Sequence, residues 1–346
     1  MLNKKIIALG VVALAASLLA APSAQAGAKP ASKANVGDEC LREGVKAAGR
    51  GVNGSDLTCT KVATGSFAGT LRWWYPDMKP YGSVEWVSSS NIGGGYGTTA
   101  IAIGDAMKKE GLLKDYTVTY RSNAPLGLGY FYDQKNRKDL LLITGFAMPG
   151  GLATNGSKLS ITSAKAVAGV MREAEAFVVP TSSKYRTITD LLNDIKANPK
   201  AVAIGGGNYG GVDHVTVATL AETVGVKATD LNYIPYSGGG SLVPDVIGGR
   251  VAVGVSGTSE FSSFVAAGKM RVLAVTSPKP LKVIKGKTLV QQGVDLTFGN
   301  WRGILAPADL TPAEYLNTVK VIDALHSTPS WKATLVARSW IDEYRS

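Results

Sequence analysis

The chain has few of the side chains that most enzymes and metal proteins rely on. Its 346 residues include only two cysteines and two histidines, His214 and His326. The cysteines have no histidine near them in the sequence and no C-x-x-C spacing, which argues against a zinc site and a redox site. No G-x-S-x-G elbow occurs, and the scattered acidic residues do not single out a catalytic pair. We therefore predict no catalytic residues, no metal and no cofactor.

The sequence also lacks an apolar run long enough to span a membrane. The apolar run at 6–21 follows Lys4 and Lys5, and it is shorter than the roughly 20 residues that a spanning helix needs. Residues 24–26, Ala-Gln-Ala, then form a small-x-small pattern before Gly27. These features predict a signal peptide over 1–26 and an exported protein that is soluble after cleavage. Its expected location is the periplasm, the extracellular space or the cell surface.

Positive charge is in excess. The full chain carries a formal charge of +11, and loss of the predicted leader removes two lysines and no acidic residue. This balance favours small anionic partners. Basic residues interleaved with aromatic ones are missing, so nucleic acid is not an expected partner.

Cys40 and Cys59 are the only cysteines, and in an exported protein they are expected to form a disulfide worth about 3 kcal/mol. Residues 27–66 are assigned to a linker and a small module that this bond staples. From residue 67 onward roughly 280 residues remain, enough for two α/β domains of ordinary size.

Strand and helix signals alternate along this main part. Predicted strands include 83–88, 140–146, 201–204 and 232–236, and helices are predicted at 188–197 and from the Thr311-Pro312 capping box. Another helix is expected to start at Thr98 or Thr99 as N-cap and to run through Lys109. The alternation predicts an α/β fold with mostly parallel sheets and helices on both faces.

Glycine clusters at 93–97, 205–211 and 238–240 each follow a predicted strand and precede a possible helix. Glycine allows close backbone approach, and a helix N-terminus presents unpaired N–H groups. Because ligands of open α/β sheets gather at the carboxyl ends of strands, the clusters predict one anion-binding cleft. The alternative is that the glycines serve only the turns.

The second cluster could also indicate a dinucleotide site. Gly205, Gly207 and Gly210 satisfy G-x-G-x-x-G. The strand at 232–236, however, ends in Ser237 where that fingerprint requires an acidic residue to bind the ribose. A nucleotide cofactor is therefore not expected.

Residues 190–255 resemble the extracytoplasmic solute-binding receptors of tripartite tricarboxylate transporters, the Bug-type receptors. The resemblance lies in Asp213-His214, in 234–239 (Ile-Pro-Tyr-Ser-Gly-Gly) and in 248–251 (Gly-Gly-Arg-Val). Later landmarks at 268–276 and 301–307 extend it to roughly residues 80–340. The first cluster departs from the pattern, because Gly97 stands where the family usually has aspartate.

The resemblance implies a two-lobed periplasmic-binding-protein fold of type 2. Lobe 1 would comprise 67–174 and 301–346, and lobe 2 would comprise 175–300, with the disulfide-stapled module in front. The implied function is capture of a small organic anion, in particular a carboxylate, and its delivery to the membrane subunits of a tripartite transporter. The receptor is expected to be a monomer.

Two groups of residues are implied to bind the ligand, with backbone amides in place of a cationic clamp. In the first lobe they are Asn91, Gly93, Gly94, Gly95, Tyr96, Gly97 and Thr98. In the second lobe they are Gly207, Asn208, Tyr209, Gly210, Gly211, His214, Tyr236, Ser237 and Gly238. An alternative for His214 is a histidine at a helix start whose ring is satisfied by the backbone.

Two other functions remain open at this point. An exported α/β hydrolase-like enzyme would need a nucleophile and a base that converge in the cleft. A surface scaffold protein would have a vestigial cleft filled by side chains.

Overall fold

The computed structural model describes residues 34–236 and 238–346. The predicted signal peptide, most of the linker and Ser237 lie outside these residues. Within the described ranges no helix combines the length and the apolar character needed to cross a membrane.

A small disulfide-bonded module begins the described chain. Strands β1 (Lys46–Ala47), β2 (Leu57–Lys61) and β3 (Leu71–Trp74) form an antiparallel sheet that extends past the expected edge at residue 66. The predicted bond between Cys40 and Cys59 is confirmed. Glu110 of the first lobe holds the module, because its buried carboxylate accepts hydrogen bonds of 2.7 Å from both the backbone N–H and the hydroxyl of Ser66.

The main body alternates strands and helices. The strands are β4 (Tyr81–Ser88), β5 (Leu113–Tyr120), β6 (Leu140–Gly145), β7 (Lys165–Glu173), β8 (Glu175–Pro180), β9 (Ala203–Gly206), β10 (Asn232–Pro235), β11 (Val253–Gly257), β12 (Met270–Val275) and β13 (Asn300–Ala306). The helices are α1 (Gly95–Lys109), α2 (Ala124–Asp133), α3 (Ala147–Thr154), α4 (Ile188–Ala197), α5 (Val212–Glu222), α6 (Gly239–Ile247), α7 (Thr258–Ala266), α8 (Pro312–Ser327) and α9 (Pro329–Ala337).

Two five-stranded sheets define two lobes. The first has the order β5-β4-β6-β13-β7 and the second the order β10-β9-β11-β8-β12. In each sheet two neighbouring pairs are parallel and two are antiparallel. The antiparallel strands lie where the chain changes lobe: a single residue, Ala174, separates β7 from β8, and β13 returns to the first sheet. These crossovers bring the carboxyl ends of both sets of parallel strands to one interlobe cleft.

Both faces of the second sheet are buried, as a helix-covered sheet requires. Along β8, Phe177 and Val179 pack into one apolar cluster, whereas Ala176 and Val178 pack into another on the opposite face. The alternation follows from the period of two along a strand. The space for a cavity is therefore at the ends of the strands and not on a face of this sheet.

The N-termini of α8 and α1 test two of the local predictions. The predicted capping box of α8 is present, since the Thr311 hydroxyl accepts from Glu314 N. The expected start of α1 is wrong: this helix begins at Gly95 with Gly94 as N-cap. The hydroxyls of Thr98 and Thr99 instead donate to the Gly95 carbonyl, at 3.0 and 2.8 Å.

Candidate functional site

The interlobe cleft is a cavity of about 600 Å³. Its first wall consists of the segments that follow β4, β5 and β6, and its second wall consists of those that follow β9, β10 and β11. The start of β13 closes the base. This placement is the one that the strand-end argument requires of an α/β ligand site.

The structure brings most of the sequence-predicted site residues to this cavity. Those that line it are Asn91, Gly94, Gly95, Tyr96, Gly207, Asn208, Tyr209, Gly211, Tyr236 and Gly238. Those described by the structure but absent from its lining are Gly93, Gly97, Thr98, Gly210 and His214. Ser237 lies outside the described residues.

Three of the predicted residues that do not line the cavity have structural roles. Gly93 and Gly210 have positive φ angles of 83° and 74°, which their turns require. Gly97 lies under the ring of Tyr120, where a Cβ atom would come within 2.4 Å of Cε1. These three positions support the loops that the lining residues occupy.

His214 supports the second loop from behind. Its Nδ1 accepts a hydrogen bond of 3.3 Å from the Gly210 N–H, and its ring packs edge-on against Tyr209 and Tyr233. Burial lowers the pKa of this imidazole. The arrangement corresponds to the backbone-satisfied histidine that was the alternative role.

Arg302 is the main residue that sequence reasoning missed. It lines the cavity although it is only 4% exposed, and its Nε has no hydrogen-bond partner among the described residues. The guanidinium packs against Gly95 and lies 5.2 Å from the centre of the Tyr96 ring. The structure thus places a cationic group at the predicted cleft, where the sequence led us to expect backbone amides alone. The signal was available as an arginine inside the otherwise apolar strand β13.

Four carboxyl groups cluster near this arginine, three of them in lobe 2 and one, at the end of β7, in lobe 1. They belong to Glu173, Glu175, Asp213 and Glu260. The nearest to the guanidinium is Glu173, whose Oε2 lies 3.7 Å from Nη2 of Arg302. Asp213 and Glu260 line the cavity, and the other two lie behind them.

Burial raises the pKa values of three of these carboxyl groups, those of Glu175, Asp213 and Glu260. Burial, reinforced by the charges of Asp213 and Glu173, raises the pKa of Glu175 well above its usual range. Burial also raises the pKa of Asp213, and it raises that of Glu260 to about 7, with Glu173 and Asp213 adding to the effect. A carboxyl with a raised pKa can hold a proton near neutral pH and then donate a hydrogen bond.

The two lobes touch beside the cavity. A Cβ atom placed on Gly150 of α3 would lie 2.1 Å from the carbonyl oxygen of Gly210 in the second lobe. Only a glycine at position 150 therefore permits this approach of the two backbones. The contact brings the second glycine cluster against α3 at the side of the cavity.

Comparison with known proteins identifies relatives of a large part of the chain. The sequence profile described as "Tripartite tricarboxylate transporter family receptor" matches residues 157–338, more than half of the chain. A UPF0065 protein from the ttuE–ttuC′ intergenic region of Agrobacterium vitis is 29% identical over 130 residues. That alignment covers 37% of this chain and 36% of the relative, so the chain matches well under two thirds of that relative's length.

Solved structures share the fold. MatC from Rhodopseudomonas palustris, with bound malate, aligns with a TM-score of 0.64 and 16% identity over 76% of this chain and 91% of its own. A second R. palustris protein, with adipate, aligns with a TM-score of 0.65 and 20% identity over 76% and 89%. These likenesses confirm the periplasmic-binding-protein type of fold.

Proposed function

Because this chain belongs to the tripartite tricarboxylate transporter receptor family, we propose that it captures a small organic acid in the interlobe cleft and delivers it to membrane transporter subunits. The observation that carries the proposal is the guanidinium of Arg302, which is buried at the cavity wall: its Nε has no hydrogen-bond partner among the described residues, and its ion pair with Glu173 is long at 3.7 Å. A guanidinium presents five N–H donors in a planar fork that matches a carboxylate. A bound carboxylate would satisfy the donors that the protein leaves open.

The first glycine cluster adds to this anion site. Helix α1 begins at Gly95 beside the guanidinium, and its first turn contains no acidic residue. The N–H groups there and the positive end of the helix dipole favour negative charge. Gly94 and Gly95 leave this helix start accessible from the cavity. The malate and adipate seen in the two R. palustris proteins are small carboxylates of the kind proposed.

The remaining parts of the proposal concern organisation. Residues 1–26 would be removed on export, and lobes formed by 67–174 with 301–346 and by 175–300 would close on the solute. The receptor would act outside the cytoplasm as a monomer without catalysis. Gly93, Gly97, Thr98, Gly210 and His214 would act by shaping the loops, and the other predicted residues would contact the solute.

A binding screen of the purified mature chain tests the function. Thermal shift and calorimetry would use linear dicarboxylates from malonate to adipate, malate, citrate, linear amino acids and neutral sugars. We expect at least one carboxylate-bearing compound to stabilise the protein, by about 2.7 kcal/mol when its concentration is about 100 times its Kd. Stabilisation by neutral sugars alone, or by nothing in the panel, would refute the proposal.

Arg302→Lys is the matched variant for the same panel. It keeps the positive charge but removes the planar fork, so carboxylate affinity should fall about tenfold or more. Arg338→Lys, at a half-buried position after α9 that does not line the cavity, is the control and should leave affinity unchanged. Equal affinities of wild type and Arg302→Lys would show that the guanidinium does not hold the carboxylate.

A further inference from the structure

The two walls of the cleft differ in charge. In the second lobe, helix N-termini near the cavity are already paired with carboxylates of this chain. Asp213 lies in the first turn of α5 and accepts a hydrogen bond of 2.7 Å from Gly207 N. Glu260 lies in the first turn of α7, and its carboxylate packs against Gly239, where α6 begins. A carboxylate at a helix N-terminus offsets its positive end, so this wall does not attract a second anion.

The opposite wall has no such compensation. Gly94 caps α1 without a side chain, and no acidic residue lies in the first turn of that helix. The guanidinium of Arg302 lies next to Gly95, and its ion pair with Glu173 is long, with 3.7 Å between Nη2 and Oε2. The cleft therefore has a positive lobe 1 end and a negative lobe 2 end.

Arg302 and Asn300, two residues apart on β13 at the base of the cavity, have buried polar atoms without partners among the described residues. Arg302 is 4% exposed with a free Nε donor, and Asn300 is 9% exposed with a free Oδ1 acceptor. Both side chains line the cavity. Buried polar atoms are seldom left unpaired, so the two residues call for a solute that accepts at one point and donates at another.

The charge balance of the cleft determines which group of the solute donates the hydrogen bond. Glu173 pairs with Arg302, and Glu175, Asp213 and Glu260 add three more carboxyl groups on the lobe 2 side. A linear dicarboxylate would bring its second anion toward this wall, and like-charge contacts are costly. Among the described residues no three His, Cys, Asp or Glu side chains are arranged to hold a metal ion. Compensating positive charge can instead come from the solute.

We propose, on the basis of the receptor function above, that the cleft selects a solute with a carboxylate at one end and a protonated amine at the other. The carboxylate binds Arg302 and the start of α1. The ammonium group, with its three N–H donors, binds the carboxylates of Asp213 and Glu260 and the Oδ1 of Asn300. The ligand class is thus amino acids, in particular linear ones whose amine is remote from the carboxylate.

Matched pairs of compounds test the proposal. The pairs are β-alanine with succinate, 4-aminobutyrate with glutarate, and 5-aminopentanoate with adipate, in which one ammonium replaces one carboxylate. Calorimetry at about pH 8.5 should show, for at least one pair, the amino acid binding about tenfold or more tightly than the dicarboxylate. A dicarboxylate that binds more tightly in every pair would overturn the inference while leaving the receptor function intact. Absence of binding by all six compounds, by malate and by citrate would overturn both.

Glu260→Gln and Asp213→Asn locate the amine. Each should lower the ratio of amino acid to dicarboxylate affinity about tenfold, because a neutral amide replaces one charge next to the ammonium. Glu222→Gln, at the exposed end of α5, removes the same charge away from the cavity and should leave the ratio unchanged. Thermal melts establish that each variant folds. An unchanged ratio in folded Glu260→Gln and Asp213→Asn would overturn the inference.

Wild-type protein provides a measurement that needs no variant. Lowering the pH from about 8.5 to about 6 crosses the pKa of Glu260, which is about 7, and protonates a carboxylate that faces Glu173, Asp213 and Arg302. The affinity ratio should fall over this range, since the compared solutes keep nearly the same charge. A ratio that is constant or rises on acidification would contradict the assignment.

Discussion

Gly95→Ala is the sharpest steric test of the carboxylate site. A Cβ atom at this position would lie 2.3 Å from Nη2, 2.6 Å from Nη1 and 2.8 Å from Cζ of Arg302. Ordinary van der Waals contact begins near 3.4 Å, so the guanidinium must move by about 1 Å. Gly95 has no positive φ angle, so its backbone conformation accepts alanine without strain. The predicted effect therefore acts through Arg302.

The size of the effect follows from the interaction that is displaced. A hydrogen bond to a charged group contributes about 1.5–3 kcal/mol, which corresponds to a loss of affinity of about 10- to 100-fold. The stability of the unliganded protein should change little. Alanine is favoured over glycine inside a helix by up to about 1 kcal/mol, and this gain offsets part of the crowding, which costs about 1–3 kcal/mol.

Calorimetry with the tightest-binding compound of the panel measures the loss, and a thermal melt without that compound measures stability. Gly240→Ala is the control, because it lies in the first turn of α6 with nothing within 4 Å of the added Cβ atom. We expect normal affinity for Gly240→Ala. A Gly95→Ala protein that binds within twofold of wild type would refute the reasoning that this helix start and Arg302 form one carboxylate site.

Three further predictions concern closure, pH and the N-terminal module. Gly150→Ala should weaken solute binding about tenfold without lowering Tm. The reason is that its Cβ atom would meet the Gly210 carbonyl only when the lobes are in contact. Unchanged affinity by calorimetry would contradict this prediction. The raised pKa of Glu260 stabilises the folded protein fully at pH values below the unfolded-state pKa of about 4.5, and this stabilisation is lost as the pH rises through about 7. Tm should therefore fall between about pH 5 and about pH 7.5. Glu260→Gln should make Tm less dependent on pH over this range. A variant whose Tm falls as steeply as that of the wild type would show that Glu260 is not the titrating group. Glu110→Ala should cost about 3 kcal/mol by removing the hydrogen bonds to Ser66, and an equal midpoint in urea would show that they are dispensable.

Local patterns predicted the elements well because their causes are local. The capping box at Thr311 and the apolar face of Ile188–Ala197 depend on residues within a few positions of one another. The glycine clusters were also found to mark the cavity, since strand ends determine where ligands meet an α/β sheet. The disulfide could be predicted because Cys40 and Cys59 are the only possible pair.

The charged part of the site could not be predicted because it depends on contacts that are remote in sequence. Glu173 and Arg302 meet only because β13 pairs with β7 in the first sheet. Glu175, one crossover later, meets Asp213 through the order of the second sheet. No spacing rule connects these residues, and an acidic residue on a strand is ordinarily assigned to the surface. The sheet order is therefore the missing information.

The departure of the first glycine cluster from the family pattern has a physical meaning in this arrangement. Gly97 stands where the resemblance leads one to expect aspartate, and the Tyr120 ring fills the space that a side chain would need. A carboxylate in the first turn of α1 would also offset the positive helix end beside Arg302. Its absence leaves that end to the solute, whereas Asp213 and Glu260 lie in the first turns of α5 and α7 in the second lobe. The glycine at position 97 and the acidic residues Asp213 and Glu260 thus give the cleft a charge difference in one direction. This difference orients a solute with its anionic end toward lobe 1.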